Sequence, residues 1–159
     1  MTKSALDLYE KYFQERQFER LNLFQIIADK FNVQRALYAG SFVHVTPSLV
    51  FPDVVYVDND KQAKQFFGKP ENFKFIAERK FYSQEAKVSF HFADYRIGFD
   101  EMIGSFDLLI SQYAGFVGQY CKQYLKTSGL LLANNSHGDA GMAAIDDDYQ
   151  LLAVFSAKN

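Results

Sequence analysis

The feature that most constrains this chain is a recurring one: short, almost wholly apolar runs that stop abruptly at glycine or a polar residue. "RALYAG" (35–40) and "VVYVD" (54–58) are the first two. A strand with one wet face alternates apolar and polar side chains, whereas a strand buried on both faces reads as a continuous apolar run. "FDLLISQYAG" (106–115) and "LLLANN" (130–135) repeat the pattern, "YQLLAVFSA" (149–157) extends it, and "VSFHFADY" (88–95) alternates enough to suit an edge position.

Helical patterns lie between and before these runs. Ser4 with Asp7 reads as a hydroxyl cap with a carboxylate in the first turn. Leu8, Tyr12 and Phe13 follow at helical spacing, then a second stripe of Leu21, Phe24, Ile27, Ala28 and Phe31, with Asn32 as its stop. Thr46-Pro47 opens a helix of about one turn that Pro52-Asp53 ends. "KQAKQFF" (61–67) is amphipathic, with Asp58, Asn59 or Asp60 as cap, and "FVGQYCKQYLKTSG" (116–129) reads as a helix closed by Gly129. A short helix is expected around 142–145.

Strands alternating with helices imply right-handed crossovers and a parallel sheet covered by helices on both faces. The expected fold class is therefore α/β: a three-layer sandwich with a mostly parallel sheet of about six strands, the last antiparallel near an edge. At 159 residues the chain suits a single domain, 1–159, with N-terminal helices over 1–31 and the sheet core over 35–157.

Composition narrows the function classes. A net charge of −2 gives no electrostatic footprint for nucleic acid or an anionic membrane. No apolar run approaches the ~18 residues needed to span a bilayer, and the N-terminus has no signal-peptide core. Cys121 stands alone, which excludes an internal disulfide, and three scattered histidines do not suggest a metal site. The expected compartment is the cytoplasm and the expected partner a small molecule. A homodimer built on rings such as Tyr9 or Phe13 is left open.

In open α/β sheets ligands bind beyond the carboxyl ends of the strands. Those ends carry Tyr38-Ala39-Gly40-Ser41, Asp58-Asn59-Asp60, Ala93-Asp94-Tyr95, Ser111-Gln112-Tyr113 and Asn134-Asn135-Ser136-His137. Asp58 stands 18 positions after Gly40, close to the spacing of roughly 20 at which an acid meets vicinal ribose hydroxyls. It either accepts from a ribose or caps the next helix. Asp94 can accept from an exocyclic amine and Tyr95 can stack on a base, or the pair is an ordinary loop. After Gly40-Ser41 come Phe42, Val43, His44 and Val45, too bulky for phosphates to approach the backbone, and no P-loop is present. A nucleoside without phosphates suits such a loop better. In "NNSHGDAG" (134–141), His137 is either a general base with Asp139 as its orienter or part of a turn. His44 lies in the first loop, within reach of the cleft.

In these residues the chain resembles the class I S-adenosylmethionine-dependent methyltransferases, which are Rossmann-like. The resemblance covers roughly residues 20 to 157 in element order. "LYAGSF" (37–42) stands at the family's glycine-rich first loop, "VVYVDND" (54–60) at its second strand and ribose acid, "FADY" (92–95) at the adenine side, and "FDLLISQYAG" (106–115) at its fourth strand. It implies a methyltransferase using S-adenosylmethionine on a small-molecule acceptor. It also implies Gly40 beneath the methionine moiety, Asp58 on the ribose, Asp94 with Tyr95 flanking the adenine, and Ser111 and Tyr113 bordering the methyl group and the substrate. Position at the strand ends adds Tyr38, Ser41 and Asn59 as cofactor contacts and Asn135, with His44 of the first loop, on the substrate side. The chain departs from the family at Tyr38, where an acid is usual, and at Phe42 and His44, where glycines are usual. A catalytically inactive nucleoside-binding or interaction module on the same fold is the alternative. A flavodoxin-like receiver would need paired acids near Tyr38-Ala39 and a lysine near Asn134-Asn135, and has neither.

Overall fold

A computed structural model describes residues 6–156 of the chain. Ser4, read above as a helix cap, and Ala157, the last residue of the final apolar run, lie outside them. Five strands, all parallel, form one sheet: β1 (Arg35–Ala39), β2 (Asp53–Asp58), β3 (Lys87–Phe92), β4 (Phe106–Ser111) and β5 (Leu125–Ala133). Their order is β3-β2-β1-β4-β5. The chain winds outward from β1 to β3, then returns to the other side of β1 for β4 and β5. Right-handed crossovers therefore place the two halves of the chain on opposite faces of the sheet.

One face is thick. On it α1 (Leu6–Tyr9), a π-helical turn (Glu10–Gln14), α2 (Leu21–Lys30) and a 3-10 turn (Thr46–Leu49) pack with α3 (Lys61–Phe67), a second 3-10 turn (Pro70–Phe73) and α4 (Lys74–Arg79). They bury Tyr9, Phe24, Phe51 and Phe66 against Tyr38, Tyr56 and Ile110. Tyr9 and Phe13 are thus core rings, not the dimer surface the sequence left open. The other face is thin. It is covered by the irregular connection 93–105, by α5 (Val117–Tyr120), a 3-10 turn (Lys122–Tyr124) and α6 (Asp139–Ala144). Val117, Cys121 and Tyr124 there lie on Leu37, Val55 and Leu109.

Two expectations are corrected. The helix expected to run to Gly129 ends at Tyr124, and residues 125–129 belong to β5. The register between β4 and β5 shifts between Phe106 and Leu108. The Thr-Ser-Gly stretch takes up that shift, with Ser128 at φ +67°, and Lys126 pairs with Asp107 at 2.8 Å. What reads as a helix C-cap is a bulge, a feature that inserts residues into one strand only. The sixth strand is absent among the described residues. Residues 149–156 are irregular, and Leu151 is 80% exposed. An apolar run becomes a strand only by pairing, and this one pairs with nothing.

Candidate functional site at the carboxyl edge of the sheet

The strand order reverses between β1 and β4, so the loops after these two strands form the switch point, where open α/β sheets have the crevice that binds ligands. Gly40 ends β1 with φ +66° and donates its amide to Val57 at 2.8 Å. Phe42 follows with φ +49°, a left-handed conformation rarely taken by a bulky residue. The Asp58 carboxylate at the tip of β2 holds it there. Oδ2 accepts the Phe42 amide at 2.7 Å and Oδ1 accepts the Asp60 amide at 2.9 Å. Asp60, not Asp58, caps α3, accepting from the amides of Gln62 and Ala63 at 2.7 and 2.9 Å. That answers the capping question and leaves Asp58 as the residue that shapes the first loop.

The rest of that loop turns inward. Every residue from Val43 to Phe51 is buried. The Tyr38 hydroxyl meets His44 Nδ1 at 2.8 Å, His44 Nε2 meets the Glu19 carbonyl at 2.9 Å, and Phe13 stacks on the imidazole at 4.4 Å. Burial lowers the His44 pKa to about 4, so the ring is neutral. His44 was expected to reach the cleft and Tyr38 to touch a cofactor; both side chains instead belong to the core. Ser41 and Ser111 are buried as well. Asn59 is exposed.

The adenine-side pair is also engaged. The Asp94 carboxylate accepts from the Arg96 guanidinium, Nε to Oδ1 at 2.9 Å and Nη2 to Oδ2 at 2.6 Å, and from the Arg96 amide at 2.9 Å, and these bonds hold its carboxyl down at about 2. Tyr95 reaches across to the loop after β4, where its hydroxyl accepts the Gly115 amide at 3.0 Å.

The loops after β4 and β5 are knitted together. Ser136 Oγ donates to the Gln112 carbonyl at 3.2 Å and meets His137 Nδ1 at 3.0 Å, while Phe116 packs over Gly138. Asn135 Oδ1 accepts the Gly141 amide at 2.9 Å. His137 is exposed, but Asp139 is buried and points elsewhere, accepting the Gly118 amide at 3.1 Å. The expected His–Asp pairing is replaced by a Ser136–His137 contact. Sequence reasoning did not single out Arg20, whose Nη2 donates to the Tyr113 hydroxyl at 2.9 Å. It arrives from the N-terminal segment, 93 positions away, and no local pattern signals it.

The fit of an S-adenosyl group divides along the crevice. Asp58 suits a ribose, because a carboxylate has about four acceptor sites and only two are used here. Over Gly40, room for the methionine moiety requires the loop after β4 to move. A Cβ built on Gly40 would stand 2.3 Å from Ala114 Cβ and 3.7 Å from the Tyr95 ring, so the glycine admits the protein's own loop. No buried side-chain nitrogen or oxygen among the described residues is left without a partner for such a ligand.

No family model and no curated protein matches the chain. Solved structures do. A methyltransferase from Geobacter sulfurreducens aligns with 92% of this chain and 81% of its own, at 13% identity and a TM-score of 0.56. Coclaurine N-methyltransferase, solved with N-methylheliamine and SAH, aligns with 75% of this chain at 17% identity and a TM-score of 0.51. The [4+2]-cyclase SpnF aligns with 71% at 12% identity and a TM-score of 0.51. The chain spans 43% of SpnF and 35% of the coclaurine enzyme. No helix among the described residues is long and apolar enough to cross a membrane. At 12% to 17% identity these likenesses show the fold alone: the chain has the Rossmann-like fold of the class I S-adenosylmethionine-dependent methyltransferases.

Proposed function

We propose that the chain binds S-adenosylmethionine at the carboxyl edge of its sheet and transfers the methyl group to a small-molecule acceptor. The observation that carries this is the position of Asp58, at the tip of the strand next to β1, with acceptor sites to spare. Asp58 would hold the ribose. The cofactor supplies a methyl group on a sulfonium, a good leaving group, so the protein's task is alignment more than chemistry. Tyr113 and Asn135 border the acceptor side, and His137 takes up the acceptor's proton, its Nδ1 held by Ser136. Asp139 supports this at a distance by fixing Gly118 in α5.

One observation favours a second reading, a module that keeps the fold without the chemistry: Ala114 and Tyr95 close the space over Gly40. Calorimetric titration with S-adenosylmethionine and S-adenosylhomocysteine separates the two. Micromolar to submillimolar binding is expected, and absence of heat at millimolar ligand overturns the methyltransferase reading. Asp58→Asn should weaken binding about tenfold, as expected for loss of a charged acceptor. If the cofactor binds, His137→Ala should lower turnover more than cofactor affinity.

A further inference from the structure

Arg20 is the part of the crevice that the proposed reaction does not use. Its backbone is left-handed, φ +61°, although it is neither glycine nor asparagine. Gln17, three residues earlier, shares that conformation at φ +57°. Such strain persists only where the surroundings enforce it, and it collects at ligand clamps. Here the Glu19 carbonyl is fixed by His44 and the Glu19 carboxylate by Tyr9 and by Arg79 at 3.1 Å. Arg20 is therefore turned the other way, toward the tip of β4.

There its guanidinium is exposed, rests 5.9 Å from the Phe18 ring, and spends one of its five N–H donors on Tyr113. Of the other arginines, Arg35, Arg79 and Arg96 pair with carboxylates and Arg16 rests over the Tyr12 ring. Arg20 has no carboxylate partner among the described residues. A planar, always-charged donor fork steadied by a phenol suits a small carboxylate, which it can bind through two parallel hydrogen bonds.

We infer that Arg20, positioned by Tyr113, is a specificity residue that recognises the carboxylate of a small-molecule acceptor at the mouth of the crevice. The acceptor is then an organic acid. This rests on the proposed methyltransferase reading for the word acceptor, but the carboxylate site can be tested without it. The Tyr113 hydroxyl holds one edge of the guanidinium and leaves the other donors to the ligand.

The test is titration of the whole chain with 4-hydroxybenzoate and with 4-hydroxybenzamide, followed by amide chemical shifts. The acid should bind about tenfold tighter than the amide, as expected for a charge-assisted pair. Arg20→Gln should abolish that preference and Tyr113→Phe should reduce it, both with an unchanged unfolding temperature. Equal binding of the two probes, or a preference that survives Arg20→Gln, overturns the inference. A second arm uses S-adenosylmethionine and its decarboxylated analogue. If Arg20→Gln weakens only the former, the carboxylate is the cofactor's own and the acceptor assignment falls. If neither cofactor binds yet the benzoate preference depends on Arg20, the methyltransferase reading fails and the carboxylate site stands.

Discussion

The loop after β1 and the loops after β4 and β5 sit side by side at one edge of the sheet, yet they are built in opposite ways. The first sinks Val43 through Phe51 into the core and fixes itself through Tyr38, His44, Tyr56 and Asp58. The second pair keeps Tyr113, Phe116 and His137 at the surface and ties itself through exposed groups such as Ser136 and Asn135. A buried loop held by several polar contacts has one arrangement, because releasing any buried group costs its desolvation. An exposed loop, whose hydrogen bonds water can take over, opens at less cost. Any ligand of this crevice therefore meets one fixed wall and one adjustable wall.

The contrast can be broken most forcefully at Gly40, where the walls meet. Gly40→Ala combines a left-handed backbone with a Cβ 2.3 Å from Ala114. It should cost about 3 kcal/mol in urea unfolding. A loss under about 1 kcal/mol would mean that the β4 loop yields freely.

The fixed wall should also respond to acid. His44 has a folded pKa of about 4, below its ordinary 6.5. Between these values the unfolded chain binds a proton that the folded chain refuses, so stability is full above about pH 6.5 and falls as pH drops toward 4. Unfolding free energy should be lower by about 2 kcal/mol at pH 5 than at pH 7, at ~1.4 kcal/mol per pH unit. His44→Gln should flatten that slope. An unchanged slope in the variant would assign it to other groups.

The smallest effect belongs to the adjustable wall. Tyr95→Phe removes only the link to Gly115 and should cost about 0.5 kcal/mol. It should leave cofactor affinity equal or higher, since the hydroxyl helps to close the crevice. A clear loss of affinity would instead make Tyr95 a ligand contact.

The sheet was legible because burial on both faces writes itself into a local run of apolar residues, as in "LLIS" and "VVYV". The bulge at Thr127–Gly129 was not. Those residues also make a good helix end, and only pairing with β4 decides between the two. The final run "YQLLAVFS" misled for the same reason, since its apolarity carries no record of a neighbour. At the crevice, the edge positions of Gly40, Asp58 and Asp94 followed from strand ends. Which side chains face the ligand did not, because Tyr38 and His44 are hidden by partners such as Phe13 and Glu19. Arg20 was illegible because its role is set by a contact 93 positions away.

Cys121, sealed between α5 and the thin face of the sheet, has a wider use. Burial pushes its thiol up to about 12, so almost no thiolate exists at neutral pH and an alkylating reagent finds nothing to attack. As the single cysteine of the chain, it is a natural clock for motion. The rate at which a maleimide marks it measures how often the thin face lifts from the sheet. Ligands that brace the crevice should slow that clock without touching the sulfur.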